Sequence, residues 1–502
     1  MMGQRRFDAK LYYNLSLDRL VPQDHLLRQI AAAVDFSFVR PLCRPFYSHT
    51  GKPSVDPVVL FKMLLVGYLY GITSERRLAQ EISLNLGYRW FLRYDFDVPK
   101  SGPSVLSKAR ARFGPEVFEA FFRKSIELCG EAGLLTEGPV YVDTTLIRAA
   151  ASMDSLTRRE ELVRPPLSVE EYVRRLYEEN DPAPEDEPPG DSRKPTTTMS
   201  GLASSGGSRS GGSGRPLRPN EKVQSRTDPE ATLVDRPDFG RHLAYKAHFA
   251  VSGRRGQVIT AAVATTGAAA DEHHLAEVLW HHRRLSRLTV YEAVADAKYG
   301  TGPNYLYLDK LGITAFIPTT RFGHQHTGIW GRERFQWLPE EDAYLCPSGQ
   351  RLRRYSKVSG TNRTKYQAPK RACVACPYRV QCAPSAGERS LHRSWALELV
   401  EAAQERLASP LGKKRLVERQ IYVEGAFGLG KELHGLRRTR FKGRRRVQIQ
   451  LWLTAAAMNI KKAVKAMRAG DCPAAAASAL LQFLFSQASG RASLPQTALT
   501  TS

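Results

Sequence analysis

The stretch Gly138-Pro139-Val140-Tyr141-Val142-Asp143-Thr144-Thr145-Leu146 reads as a β-strand. A Gly-Pro break opens it, and the β-branched and aromatic residues that follow suit a pleated, packed surface. Strand character returns at residues 242–251 and 257–266, joined by Ser252-Gly253-Arg254-Arg255-Gly256 as a hairpin connection. Asp271 is placed to cap a helix carrying Leu275, Val278, Leu279 and Leu285. Residues 288–295 form another strand ending at Asp296, and residues 313–318 supply one more. A helix over residues 410–427 carries Glu424, and a further helix spans residues 447–467.

Upstream, residues 1–125 read as helical. Asp56 with Pro57 behind it is an N-cap and N1 pair, and Val58 to Leu65 is apolar nearly all round, which predicts a buried helix ended by Gly71. Ser74 opens a second helix, compatible with a helix-turn-helix. Ser104 caps a third, with Lys108, Arg110 and Arg112 suited to phosphate and Gly114 at the C-terminal cap position. The order of elements predicts an α/β class, an RNase H-like catalytic core with insertions over residues 136–466, preceded by an all-helical N-terminal domain. Residues 153–227 are expected to be a disordered insertion, residues 331–393 a basic Cys-rich insertion, and residues 470–502 a low-complexity tail.

Asp143, Asp296 and Glu424 form the candidate catalytic set. Two-metal phosphodiester chemistry needs carboxylates that hold two hard cations about 4 Å apart, and oxygen donors suit Mg²⁺ or Mn²⁺. Two acids at strand ends and one on a helix supply such donors. Each acid alone has an ordinary explanation in a turn or on a solvated face. Their flanks, Val140 to Val142, Val290 to Ala295 and Tyr422 to Phe427, are too apolar for that. Lys431 lies seven residues after Glu424 and shares its face if the helix continues past Gly425, Gly428 and Gly430. Arg419 lies about 140° round an ideal helix from Glu424 and is expected to meet DNA phosphate rather than metal.

Charge agrees with a polyanionic partner: 74 Lys and Arg against 50 Asp and Glu give +24 over 502 residues. Eight Lys or Arg fall in residues 351–371 and eight in residues 431–446. The second run, with Lys431, Arg437, Arg438, Arg440, Lys442, Arg444, Arg445 and Arg446, is the candidate track for DNA phosphates beside the acids. Tyr355, Tyr366 and Phe441 are candidates for stacking on unpaired bases. The most apolar stretch, residues 57–72, contains Lys62 and is shorter than the roughly 20 residues of a membrane span. With no apolar leader in residues 1–10 and seven cysteines, a cytoplasmic, nucleoid-associated protein without membrane contact is expected.

The chain resembles bacterial insertion-sequence transposases of the DDE type. The resemblance runs through Pro22-Gln23-Asp24-His25-Leu26-Leu27, Asp35-Phe36-Ser37-Phe38-Val39, Gly51 to Pro57 and Tyr68 to Ile72 of a leader domain. Val142-Asp143-Thr144-Thr145, Ala295-Asp296-Ala297-Lys298-Tyr299-Gly300 and Arg419 to Glu424 with Phe427-Gly428 and Lys431 match the three acid motifs. Asp228-Pro229-Glu230-Ala231 and Tyr245-Lys246-Ala247-His248 also fit. Val417 and Ser252 depart, standing where relatives carry Tyr and Asp. The resemblance implies hydrolysis at element ends, strand transfer by the freed 3′ hydroxyl, terminal inverted repeats and target DNA as partners, and a homo-oligomer bridging two ends. The alternative is an inactive or domesticated sequence-specific DNA-binding protein of the same fold.

Cys373, Cys376 and Cys382, with Cys346 in a Cys-Pro-Ser-Gly turn that resembles a zinc knuckle, are candidates for structural Zn²⁺. The pairs His273-His274 and His281-His282 are expected on a solvated helix face.

Overall fold

β1 (Val140–Arg148) forms where the sequence places a strand, and it runs two residues further, to Arg148. The structure is a computed structural model describing residues 15–468 apart from 49, 51–53, 97–101, 103, 163–217, 254–257, 320–328, 359–362 and 385–386. The 470–502 tail and the arginines of the hairpin connection lie outside the described residues.

The described ends of the 153–227 insertion are ordered rather than disordered. β2 (Leu156–Arg158) pairs antiparallel with β3 (Val223–Ser225), and the Ser155 and Ser225 hydroxyls meet at 2.7 Å. Short polar segments far apart in sequence close this ribbon, so nothing local announces it.

β4 (Thr232–Arg236), β5 (Gly240–Ser252) and β6 (Val258–Thr266) follow as antiparallel neighbours. β7 (Glu292–Ala295) and β8 (Thr314–Phe316) extend the sheet in parallel, giving the order β4-β5-β1-β7-β8 with β6 also on β5. β7 is shorter than the expected 288–295 because β1 offers it only Val140 to Val142 as partners. Asp271 is not the cap of the helix Leu275–Ser286; it is buried and binds Lys246 at 2.7 Å.

Alternation along the strands buries both faces of the sheet. Tyr141, Phe249 and Val251 pack with the N-terminal helices and the helix Arg444–Arg468. Val140, Val142 and Ala250 face a second apolar cluster containing Val278 and Leu279. The helical N-terminal region thus shares one core with the sheet, through Phe61, Phe118 and Phe122. The outer edge of β6 is closed by two amide side chains: Asn459 donates to and accepts from Ile259, and Gln448 bridges Ala262 and Ala264. That occupies backbone groups that would otherwise invite another strand.

Capping at the N-terminal end follows the sequence. Asp56 Oδ1 accepts from the Val58 N–H at 2.8 Å, a cap whose loss costs about 1 kcal/mol. Ser74 caps its helix through Arg77 N–H at 3.3 Å. Gly71 sits at φ +65°, where a side chain would be strained. Gly114 is a correction: it is the N-cap of the helix Pro115–Glu131, with Pro115 at N1, not the end of the preceding helix.

The Cys-rich insertion is a second sheet, β9 (Gln336–Leu338), β10 (Ala343–Leu345), β11 (Arg351–Lys357), β12 (Arg363–Gln367) and β13 (Ser390–Ser394), in the order β13-β12-β11-β10-β9. Its small core holds Phe335, Tyr344, Leu352, Tyr366 and Leu391. Among the described residues no helix is long and apolar enough to cross a membrane.

Candidate active site and nucleic-acid interface

Val142 pairs with Ala295 in parallel register, so Asp143, the fourth residue of β1, stands level with Asp296, which follows the last residue of β7. Each carboxylate accepts from the N–H of the residue that follows it: Asp143 from Thr144 at 2.7 Å and Asp296 from Ala297 at 2.5 Å. Exposure grades across the trio, with side chains 13% accessible at Asp143, 32% at Asp296 and 54% at Glu424. The inner acid is therefore the electrostatically constrained one. Burial pushes the Asp143 carboxyl above its ordinary range; Arg419 and the Thr144 N–H oppose this, and the charges of Asp296 and Glu424 reinforce it.

Glu424 reaches this position through an interrupted helix. The segment expected as one helix is Pro410–Arg419, a π-helical turn Gln420–Glu424, then Gly425–Leu433. A π turn stacks residue i+5 over residue i. Arg419 and Glu424, five apart, are thereby brought to one face, which corrects the 140° separation of a regular helix. The Arg419 guanidinium binds Asp143 Oδ2 and lies 3.4 Å from Glu424 Oε1. Its side chain is 12% accessible, so it holds two of the acids instead of facing a phosphate.

Several ties seat that helix on the sheet. Tyr141 donates to Glu418 at 2.5 Å, and Arg415 binds Glu418 at 2.9 Å and Glu292 of β7 at 2.7 Å. Beyond the π turn, Val423 is fully buried and Phe427 stacks on Phe249 with centroids 4.7 Å apart. The helix continues past its glycines to Leu433, and Lys431 Nζ donates to Thr145 Oγ1 at 2.7 Å. Thr145 shares a strand face with Asp143. Burial, and then Arg437, pull the Lys431 pKa down.

Behind Asp143 lies a polar layer that sequence reasoning missed. His248 Nδ1 meets Thr144 Oγ1 at 2.8 Å and the Tyr299 hydroxyl at 3.1 Å, while its Nε2 meets Thr265 at 2.9 Å. Burial holds this imidazole neutral, with its pKa lowered to about 3. Next to it, the buried Lys246–Asp271 pair is approached by Lys298, which also lies 3.6 Å from Asp296. Lys246 and His248 two apart on an otherwise apolar strand were the available signal.

The basic track divides. Arg437, Arg438, Lys442, Arg444, Arg445 and Arg446 are exposed. Arg440 is a correction: its guanidinium lies 3.9 Å over the Tyr68 ring and donates to the carbonyl of Ile72 at 3.0 Å, tying the N-terminal helices to the segment after Glu424. Arg110 is likewise taken by Glu75 and by the Phe441 ring, which removes both Arg110 and Phe441 from DNA contact. Tyr366 is buried, whereas Tyr355 is exposed beside Lys365. His282 is also a correction to the solvated-face expectation; it is fully buried and bonded to Thr260 at 2.7 Å.

Cys346, Cys373, Cys376 and Cys382 line one cavity of about 30 Å³. The Gln350 N–H points at Cys346 Sγ at 3.3 Å and the Arg389 N–H at Cys373 Sγ at 3.5 Å. Among the described residues no group of three or more His, Cys, Asp or Glu is drawn together closely enough to hold a metal ion as it stands.

Comparison with known families gives two matches: residues 15–112 match a transposase domain (DUF772), and residues 345–464 match a transposase DDE domain. The second contains Glu424 and the Cys-rich sheet from Leu345 on. No curated protein matches the chain.

Proposed function

We propose that this chain, whose two domain matches support an insertion-sequence DDE transposase, cuts phosphodiester bonds at the ends of a mobile element and joins the 3′ hydroxyl to target DNA. The observation that carries the reading is the parallel Val142–Ala295 register, which sets Asp143 and Asp296 side by side, with Glu424 joined to Asp143 through Arg419. The sheet order, with antiparallel β1, β5 and β6 followed by parallel β7 and β8, supports an RNase H-like core. Asp143, Asp296 and Glu424 offer hard oxygen donors suited to Mg²⁺ or Mn²⁺, which when bound activates the attacking oxygen and stabilises the leaving one. Arg419 neutralises Asp143 and Glu424 in the DNA-free protein and has to swing off their oxygens before those oxygens can ligate. Arg437, Arg438, Lys442, Arg444, Arg445 and Arg446 then bind the backbone of double-stranded DNA, both terminal repeats and target, by neutralising phosphates. Work on paired ends calls for a homo-oligomer, in a bacterial cytoplasm at the nucleoid.

The test is incubation of the protein with its own flanking element ends and a target plasmid, with Mg²⁺ or with EDTA. Metal-dependent joining of 3′ ends supports the reading. Nicking without joining indicates a nuclease, and binding without either indicates a silent DNA-binding protein.

Structural zinc is proposed on the donor set: four cysteines line one cavity of about 30 Å³, and the thiols of two of them receive backbone N–H groups, so binding would require the thiols to draw together. Metal analysis should find about one Zn per chain, lost in Cys373→Ser. A metal-free protein that folds normally rules it out.

A further inference from the structure

β1 is covered unevenly. β5 pairs with it from Tyr141 to Arg148, but β7 pairs only with Val140 to Val142. On the β7 side, the next backbone partner is the isolated bridge between Arg148 and Arg438. Among the described residues this edge of β1 therefore has no backbone partner from Asp143 to Ile147, five residues or about 17 Å at the strand rise. A cavity of about 550 Å³ opens at the far end of that edge.

The lining has two characters. Arg148, Lys431, Arg437 and Arg438 contribute cationic groups, whereas Leu146 and Phe239 contribute apolar surface. Phe239 is half-buried, and the Arg148 guanidinium lies 5.7 Å from its ring centroid. A duplex presents phosphates outward and keeps its bases stacked inside, so it has no use for an aromatic wall in a concave pocket. An unpaired nucleotide has use for both, placing its base on the ring and its phosphates on the arginines. Asp238 also lines this pocket. The Lys431–Thr145 bond connects this pocket to the acids, since Thr145 is two residues from Asp143.

We propose that the Arg148–Phe239–Arg437–Arg438 pocket is a binding site for an unpaired nucleotide of the DNA strand lying along that edge of β1 beside Asp143. It rests on the transposase reading and adds a single-strand subsite to it.

The test measures binding by the full chain, in EDTA, of a fluorescein-labelled oligothymidylate and of the duplex of the same length. Phe239→Ala should weaken single-strand binding by about fivefold or more, the loss expected of one aromatic platform, with duplex binding changed less than about twofold. Phe239→Trp should restore it. Equal losses on both probes, or no loss on the single strand, overturn the proposal. If Phe239→Ala melts early, exposed Arg437 decides. Arg437→Ala should lower the salt slope for the single strand by about 0.7, and an unchanged slope overturns the pocket. No cleavage enters these measurements, so their failure leaves the strand-joining reading standing, and loss of joining leaves the pocket standing.

Discussion

Arg419→Gln takes a guanidinium away from a carboxylate whose side chain is only 13% accessible. Breaking a buried ion pair by removing one member costs about 3–5 kcal/mol, because the remaining charge is left without compensation. Asp143 has an escape: it can take up a proton. Its pKa is already raised by burial, and Arg419 is the largest influence opposing that rise, so the variant's carboxyl moves further up. A folded pKa above the unfolded value of about 3.9 means that the folded state holds the extra proton, and stability falls as pH rises through that window. The deficit of the variant should therefore be about 3–5 kcal/mol near pH 7.5 and shrink by up to about 1.4 kcal/mol for each unit of acidification. Urea unfolding of both proteins across this range measures it, and Asp143→Asn in the variant background should recover most of the loss. A deficit that does not change with pH, or one that Asp143→Asn leaves in place, refutes the charge-compensation argument.

Other outcomes follow from single contacts. His282 is fully buried with its pKa lowered to about 3, so the folded state excludes a proton that the unfolded chain accepts below its ordinary 6.5. The parent should lose about 1.4 kcal/mol per pH unit from this residue as pH falls from 6.5 towards 3, and His282→Gln should show a shallower acid limb in urea unfolding; parallel limbs would contradict this. At Gly300, an added methyl group would collide with the Pro318 carbonyl oxygen. Gly300→Ala should cost about 1–3 kcal/mol and slow DNA cleavage, because the strain sits just after the Asp296 turn; an unchanged thermal midpoint would show that the loop yields freely.

What local sequence encodes, the sequence reveals. β1, the β5–β6 hairpin, the Asp56 cap and the placing of Asp296 at a strand end rest on neighbours within a few residues. Asp143, also expected at a strand end, lies inside β1 because β5 pairs with that strand as far as Arg148. What distant contacts decide stays hidden. The π turn that swings Arg419 onto Asp143 is seated by Tyr141 on Glu418 and Arg415 on Glu292, partners more than a hundred residues apart. Arg440 reads as one more cation in a basic run, but Tyr68, far upstream, claims it. Asp271 has the residue type of a helix cap and serves Lys246 instead, since a buried ammonium without a carboxylate would be far costlier than an uncapped helix.

The most direct test concerns the three acids together. If Asp143, Asp296 and Glu424 share the proposed metal site, Asp143→Ala, Asp296→Ala and Glu424→Ala should each lower Mg²⁺-dependent cleavage and joining by at least about a hundredfold, since each removes oxygen donors worth several kcal/mol there. Binding to the same DNA should hold or tighten, because each change removes a negative charge beside phosphate. A variant that cleaves and joins at the parent rate would contradict the assignment of its acid, and three such variants would place the chemistry elsewhere in the protein.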